Sequence, residues 1–275
     1  LRPAQAVLVL TLCAGLGAGA PAADVTTRPY AARPLPKPET VSAWANAFKA
    51  ETFTAPDGAR LPYRIYRPKA AARPHSLPLV VVLHGSGAIG ADNVKQMGPF
   101  ATAWAQPAIA DHERAVVVVP QAPARTVDYS PGEDGMPAAR PGPALPAILA
   151  LVDAMARDPA VDPSRVYLTG FSMGASTALT VLTLQPGRFA AAAVFAPVPP
   201  PRKAAARVAR IPMLLVHGDI DSKTRIEPDR AWAKALNAAG GRPRFIAYEG
   251  MGHRVPDDML TDSGWRTWLL AQKGR

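Results

Sequence analysis

One cysteine, Cys13, stands in the 275-residue chain. A single thiol cannot close a disulfide within one chain, so a disulfide-stapled scaffold is excluded. Aromatic residues make up 7% and charged residues 19%; beside 48% apolar content, this is the balance of a globular protein and not of a disordered one. Acidic side chains are the scarcer sign, 21 against 31 basic, and the net charge is +10. The basic residues are nonetheless scattered singly, mostly as arginine, with no run and no interleaved aromatic stripe. That pattern argues against nucleic acid as a partner. Asp111, His112 and Glu113 are consecutive and lack the spacing of metal ligands, and neither a metal nor a cofactor is expected.

Long apolar runs are missing too, with one exception. Residues 4–20 are uncharged and rich in Ala and Gly, follow a short basic start at Arg2, and lead into Ala20-Pro21-Ala22-Ala23. This is the layout of a secretory signal peptide, so residues 1–23 are read as a leader cleaved after Ala22 or Ala23. The expectation is a protein exported to the periplasm or beyond, with no stable membrane insertion. A membrane anchor is the competing reading, and the shortness of the run counts against it. Leu12 stands where a lipoprotein box takes a small residue, so Cys13 is expected to leave with the leader. Residues 24–40 are Pro-rich without hydrophobic periodicity and read as a linker. Residues 41–275 read as one domain.

Within that domain, strand-like runs at 51–55 and 60–67 flank Pro56-Asp57-Gly58, a hairpin turn signal. PLVVVLHG (78–85) is a continuous β-branched run, as in a strand buried on both faces. Strands and helices then alternate: a helix over 99–113, a strand over 115–120, a long Pro/Gly loop over 121–143, a helix over 145–157 and a strand over 165–170. A helix over 173–184, strands over 191–197 and 211–218, a helix over 228–239, a strand over 244–248 and a closing helix over 258–272 complete the chain. This alternation predicts an α/β fold: a mostly parallel central sheet with helices on both faces and an N-terminal antiparallel hairpin. Sites in such sheets form in loops at the carboxyl ends of strands.

Four such loops carry chemistry. Gly170-Phe171-Ser172-Met173-Gly174 reads G-x-S-x-G between a strand and a helix, the context of a nucleophile elbow. The competing reading is a serine that merely caps the helix. His253, in EGMGHRVP, follows the strand ending at Tyr248 and can serve as the base that a serine hydroxyl needs. HGDID (217–221) offers Asp219 and Asp221 after another strand. Asp221 is favoured as the carboxylate that orients the histidine, with Asp219 fixing the loop. HGSG (84–87) is a Gly-rich turn whose Ser86 amide, with the amide of Met173, can face a tetrahedral oxyanion. Asp92 and Asn93 either brace that loop or cap a helix, and the loop 121–143 is either a substrate wall or a surface excursion.

The series LHGSGAIGADN, VVVVPQAP, RVYLTGFSMGAS, IPMLLVHGDID, YEGMGH and WRTWLLAQ resembles secreted bacterial α/β-hydrolases of the carboxylesterase type. The related groups are polyhydroxybutyrate-depolymerase-like and feruloyl-esterase-like enzymes and those labelled predicted peptidases. The similarity runs over residues 52–272. It implies an α/β-hydrolase fold and a cofactor-independent serine hydrolase with nucleophile Ser172, acid Asp221, base His253, and oxyanion donors at Ser86 and Met173. The chain departs from the family pattern at Ala175, where a glycine is usual, at Ala88-Ile89, and at ARTVDY in place of a Trp after VVPQAP. These departures bear on the pocket and leave open which ester is taken, as the sequence leaves open the oligomeric state. A serine peptidase on the same scaffold and a non-catalytic binding protein are the two rivals.

Overall fold

The computed structural model describes residues 25–68 and 73–274; the leader reading of residues 1–23 lies outside them. Eleven strands are found among the described residues: β1 (Val25–Pro29), β2 (Lys49–Thr54), β3 (Arg60–Tyr66), β4 (Leu77–Leu83), β5 (Val116–Pro120), β6 (Val127–Pro131), β7 (Pro137–Pro141), β8 (Val161–Phe171), β9 (Ala191–Phe195), β10 (Met213–Gly218) and β11 (Arg244–Glu249). Nine of them form one sheet in the order β1-β11-β10-β9-β8-β4-β5-β3-β2. Every pairing from β1 to β5 is parallel, and only β3, which pairs antiparallel with β5 and with β2 in the predicted N-terminal hairpin, runs the other way.

The β-branched run of β4 is buried along its whole length. Its side chains divide by the two-residue period of a strand. Leu79, Val81 and Leu83 join the core beneath the helices Leu145–Ala156, Met173–Leu184 and Glu227–Ala238. Val80 and Val82 join the opposite core, with Trp104, Ile109 and the helix Gly264–Ala271. A strand hydrophobic on both faces therefore needs a helix layer on each, and the chain provides them. In the second layer Arg266 is fully buried, donates to the carbonyls of Leu260 and Asp262, and lies over the rings of Trp104 and Trp265. No helix of the described residues is long and apolar enough to cross a membrane.

Four stretches differ from the sequence reading. Residues 24–40, read as a linker, hold the strand β1 and the start of a helix over Pro38–Ala45. All five β1 side chains are exposed, so no hydrophobic alternation marks it; its hydrogen bonds run to the free edge of β11. The predicted helix over 99–113 is broken into Pro99–Thr102, a 3₁₀ turn and Pro107–Ala110. Pro107 lacks an N–H and pushes Gln106 into extended backbone, which stops the helix there. The closing helix is likewise split into Asp257–Leu260 and Gly264–Ala271. The loop 121–143 contains an antiparallel pair, β6 and β7.

The segment after β1 is tied to the loop that carries His253. Tyr30 donates from its hydroxyl to Asp257 (2.7 Å), the Arg33 amide donates to the same carboxylate (3.1 Å), and Arg254 donates to the Tyr30 hydroxyl (2.6 Å). Tyr30→Phe removes two of these bonds and is expected to cost about 1 kcal/mol. A thermal melt should then fall by about 2–4 °C; an unchanged melting temperature would show that the N-terminal segment does not brace this loop.

Candidate active site

The carboxyl ends of β4, β8, β10 and β11 share one edge of the sheet, and the four loops singled out in the sequence leave from there. Ser172 follows β8 and precedes the helix Met173–Leu184. Its backbone lies at φ 55°, ψ −119°, a region costly for any residue with a Cβ, and its side chain makes no cap to the helix. The strained turn is held by the Ser172 amide, which donates to Phe195 O (2.9 Å), and by the Ser172 carbonyl, which accepts from the Ser176 amide (3.0 Å). Close approach makes the turn possible. A Cβ on Gly174 would lie 2.1 Å from the Leu83 carbonyl oxygen at the end of β4. Only a glycine lets the elbow sit down on the neighbouring strand.

His253 must reach Ser172 from a strand three positions away in the sheet, about 14 Å at the usual strand spacing. Its loop crosses the end of β10 at Gly218, where a Cβ would lie 2.0 Å from the Met251 carbonyl oxygen. The crossing delivers His253 Nε2 to 2.8 Å from Ser172 Oγ, and Nδ1 to 2.6 Å from Asp221 Oδ2. Phe171 packs its ring against the imidazole at 4.8 Å between centroids.

Asp221 is buried and accepts widely. Its Oδ1 takes the amides of Lys223 (2.8 Å) and Thr224 (3.0 Å); its Oδ2 takes His253 Nδ1 and the Thr224 hydroxyl (3.1 Å), with His217 Nε2 at 3.3 Å. Burial works against its ionisation, but hydrogen bonds from His217, His253 and the loop amides outweigh burial and hold the carboxyl well below the usual carboxylate range. Asp219, the alternative carboxylate, instead accepts the Gly250 amide at 2.7 Å and fixes the crossing loop.

The structure thus brings Ser172, His253 and Asp221 into one hydrogen-bonded line and leaves Asp219 out of it. The HGSG loop lies beside Ser172: a Cβ at Gly85 would be 3.6 Å from Ser172 Cβ. Neither the Ser86 nor the Met173 amide donates to a carbonyl among the described residues, so both are free to face a ligand oxygen. His84 locks this loop. Its Nδ1–H donates to the Gly85 carbonyl (2.7 Å), and its Nε2 accepts the Ala122 amide (2.9 Å). Burial lowers its pKa, in keeping with a neutral ring in that tautomer.

Asp92 and Asn93 prove to be braces. Asp92 accepts from Val94, Lys95 and Gln121, and Asn93 donates to the carbonyls of Glu51 and Tyr63. The β6–β7 pair packs against the elbow, with Val127 and Ala139 on Met173 and with Ile89 against them. Ala175, a departure from the family pattern, is fully buried in the core beneath the sheet. Sequence reasoning missed Thr224, whose hydroxyl touches both Asp221 and His253 Nδ1 (3.1 Å), and Asp229, which meets His217. Neither lies in a motif; only proximity to HGDID hinted at Thr224.

Comparison with known proteins agrees with the α/β-hydrolase fold. A family model described as Phospholipase/Carboxylesterase matches residues 143–264. NocK of Nocardia uniformis subsp. tsuyamanensis, named as an esterase, is 32% identical over 161 residues, covering 58% of this chain and 44% of its own. A protein of Oryza sativa subsp. japonica named as a carboxylesterase is 26% identical over 209 residues, 70% of this chain and 77% of its own. The crystal structure of a thermostable esterase superposes with a TM-score of 0.74 at 28% identity, over 84% of this chain and 64% of that one. The chain therefore spans less than half of NocK and under two thirds of the thermostable esterase.

Gly218→Ala is expected to push the 251–252 crossing away and to lower the unfolding free energy by about 1–3 kcal/mol or more. Its crystal structure should show Ser172 and His253 beyond hydrogen-bond range. Gly87→Ala, whose Cβ would meet nothing within 4 Å, serves as the control and should unfold at the wild-type denaturant midpoint.

Proposed function

We propose that this chain, which has the α/β-hydrolase fold, hydrolyses carboxylic esters through nucleophile Ser172, base His253 and acid Asp221. The observation that carries the reading is the continuous hydrogen-bonded line from Ser172 Oγ to Asp221 Oδ2, starting at a serine held on a strained strand-to-helix turn. A serine that only capped a helix would need neither the strain nor the histidine.

Ser172 Oγ attacks the ester carbonyl carbon while His253 Nε2 takes its proton. The negative charge that gathers on the carbonyl oxygen meets the amides of Met173 and Ser86, with the positive end of the helix Met173–Leu184 behind them. Asp221, ionised and buried, keeps the His253 Nδ1 proton in place, so that Nε2 is the nitrogen free to accept, and it stabilises the imidazolium once formed. His253 then returns the proton to the departing alcohol, leaving an acyl group on Ser172. Water, deprotonated by the same Nε2, attacks the acyl carbon; the acyl–Oγ bond breaks, Ser172 Oγ takes the proton back from Nε2, and the acid is released. No cofactor enters any step.

The β6–β7 pair packs on Met173, next to the nucleophile in the chain, and the substrates proposed are soluble or short-acyl esters. Membership of the polyhydroxybutyrate-depolymerase-like and feruloyl-esterase-like group, and export from the cytoplasm, rest on the sequence patterns alone.

A fluorophosphonate probe should add one adduct to the wild type, at Ser172, and none to Ser172→Ala. On a panel of acetyl, butyryl, feruloyl and long-chain esters, Ser172→Ala should lose activity about a thousandfold or more. Unchanged ester hydrolysis in Ser172→Ala would overturn the nucleophile. Turnover of a peptide amide with none of the esters would overturn the substrate class and keep the nucleophile.

A further inference from the structure

Behind Asp221 the hydrogen-bonded line does not stop. His217, the last residue but one of β10, has no exposed surface. Its Nε2 lies 2.5 Å from the Thr224 carbonyl oxygen and 3.3 Å from Asp221 Oδ2. Both are acceptors, so Nε2 carries a hydrogen. Its Nδ1 lies 2.8 Å from Oδ2 of Asp229, which sits in the first turn of the helix Glu227–Ala238 and is also without exposed surface. Asp229 Oδ1 has no hydrogen-bond partner among the described residues, so His217 is what holds this carboxyl. One proton lies between Nδ1 and Oδ2. Burial pushes the Asp229 carboxyl up, while the His217 ring pulls it down; the helix N-terminus also favours the anion there, and Asp221 on the far nitrogen favours the cation at His217.

We infer that His217 is a positioning residue for the reaction proposed above: an imidazolium clamped between Asp221 and Asp229 that keeps Asp221 ionised and aimed at His253. The inference rests on that reading of Ser172, His253 and Asp221. The physical need is plain. A buried carboxylate flanked by two neutral imidazoles would have only neutral donors, the Lys223 and Thr224 groups included, to set against its burial, and would take up a proton more readily. Protonated, Asp221 would donate to His253 Nδ1, the tautomer would invert, and Nε2 could no longer accept the Ser172 proton. A positive charge at His217 prevents this.

Unbalanced, the same charge would oppose the imidazolium that must form at His253. Asp229 balances it, and the three groups together present a single negative charge to His253. The titratable groups that face His217 are these two carboxylates, with His253 beyond Asp221; its partner across the sheet on β11 is Ala247. Burial opposes the charge on His217, but Asp229 and Asp221 outweigh burial and push it up to about 10.

His217→Gln keeps an N–H donor of similar reach and removes the charge. It is expected to lower kcat for ester hydrolysis about 10- to 100-fold with KM within about twofold. The acid limb of the pH profile of kcat/KM should move up by about one unit. A merely structural histidine would lower stability without moving that limb. Ring ¹⁵N spectra of the histidine-labelled wild type supply a readout that needs no activity: both His217 nitrogens should be protonated throughout pH 6–9. A neutral His217 ring at pH 8, or a folded His217→Gln with unchanged kcat and acid limb, overturns the inference. If His217→Gln does not fold, the ring spectra alone decide. A wild type inactive on every ester defeats the functional reading instead, and the ring spectra still report the charge on His217.

Discussion

The backbone at Ser172 is the constraint on which the rest of this edge of the sheet depends. A non-glycine residue at φ 55°, ψ −119° costs of the order of 1–3 kcal/mol, and it persists only where its surroundings leave no alternative. Here β9 holds its amide, the helix that follows holds its carbonyl, and β4 comes so close at Gly174 that the turn cannot relax sideways. Those contacts are anchored in a core in which β4, β5 and β9 expose no side chain. Rigidity of the sheet is therefore what lets a serine hydroxyl stand in a fixed direction.

The second constraint is charge. Surface ion pairs such as Arg225–Glu227 lie in water and contribute little. The cluster of His253, Asp221, His217 and Asp229 lies mostly inside, where an unpaired charge costs several kcal/mol. Its members are legible only as a group: Asp221 is tolerable because five donors surround it, and Asp229 because His217 is beside it. Thr224 fastens this cluster to the elbow, since its hydroxyl also reaches the carbonyl of Ala196, itself at φ 52°. Strain and charge are thus stabilised by the same few residues.

Much of this was legible in the sequence, for reasons that differ by element. The runs that became β4, β5 and β10 are short, β-branched or apolar up to their last two or three residues, and end in or lead into Gly or Pro, so local pattern sufficed. The helix Met173–Leu184 was read with its observed limits because Gly170 and Gly174 frame its start. The strand β1 was not, because an exposed edge strand owes its existence to a partner more than 200 residues away. The break at Gln106 was available in Pro107, yet the apolar spacing of 99–113 favoured one long helix. Ser172, Asp221 and His253 stood in motifs at strand ends. Thr224 and Asp229 did not, since their roles arise from loop and helix packing that no local spacing encodes.

What remains is what shapes the space over Ser172, and the packing narrows the answer. Ala175 faces the core, so its difference from the family pattern changes the support of the elbow and not the wall of the site. The β6–β7 pair rests on Met173 through Val127 and Ala139 and donates from its Ala139 amide to the carbonyl of Pro199 in the proline run after β9. Two ion pairs, Arg202–Asp134 and Lys203–Glu133, join that run to the turn between β6 and β7. Because Ser176 links the same run to the elbow by accepting the Val198 amide, the β6–β7 pair and Ser172 are carried on one connected frame. Residues 121–143 and 197–203 are accordingly where a change of sequence can alter the surroundings of the elbow without disturbing the line from Ser172 to Asp221.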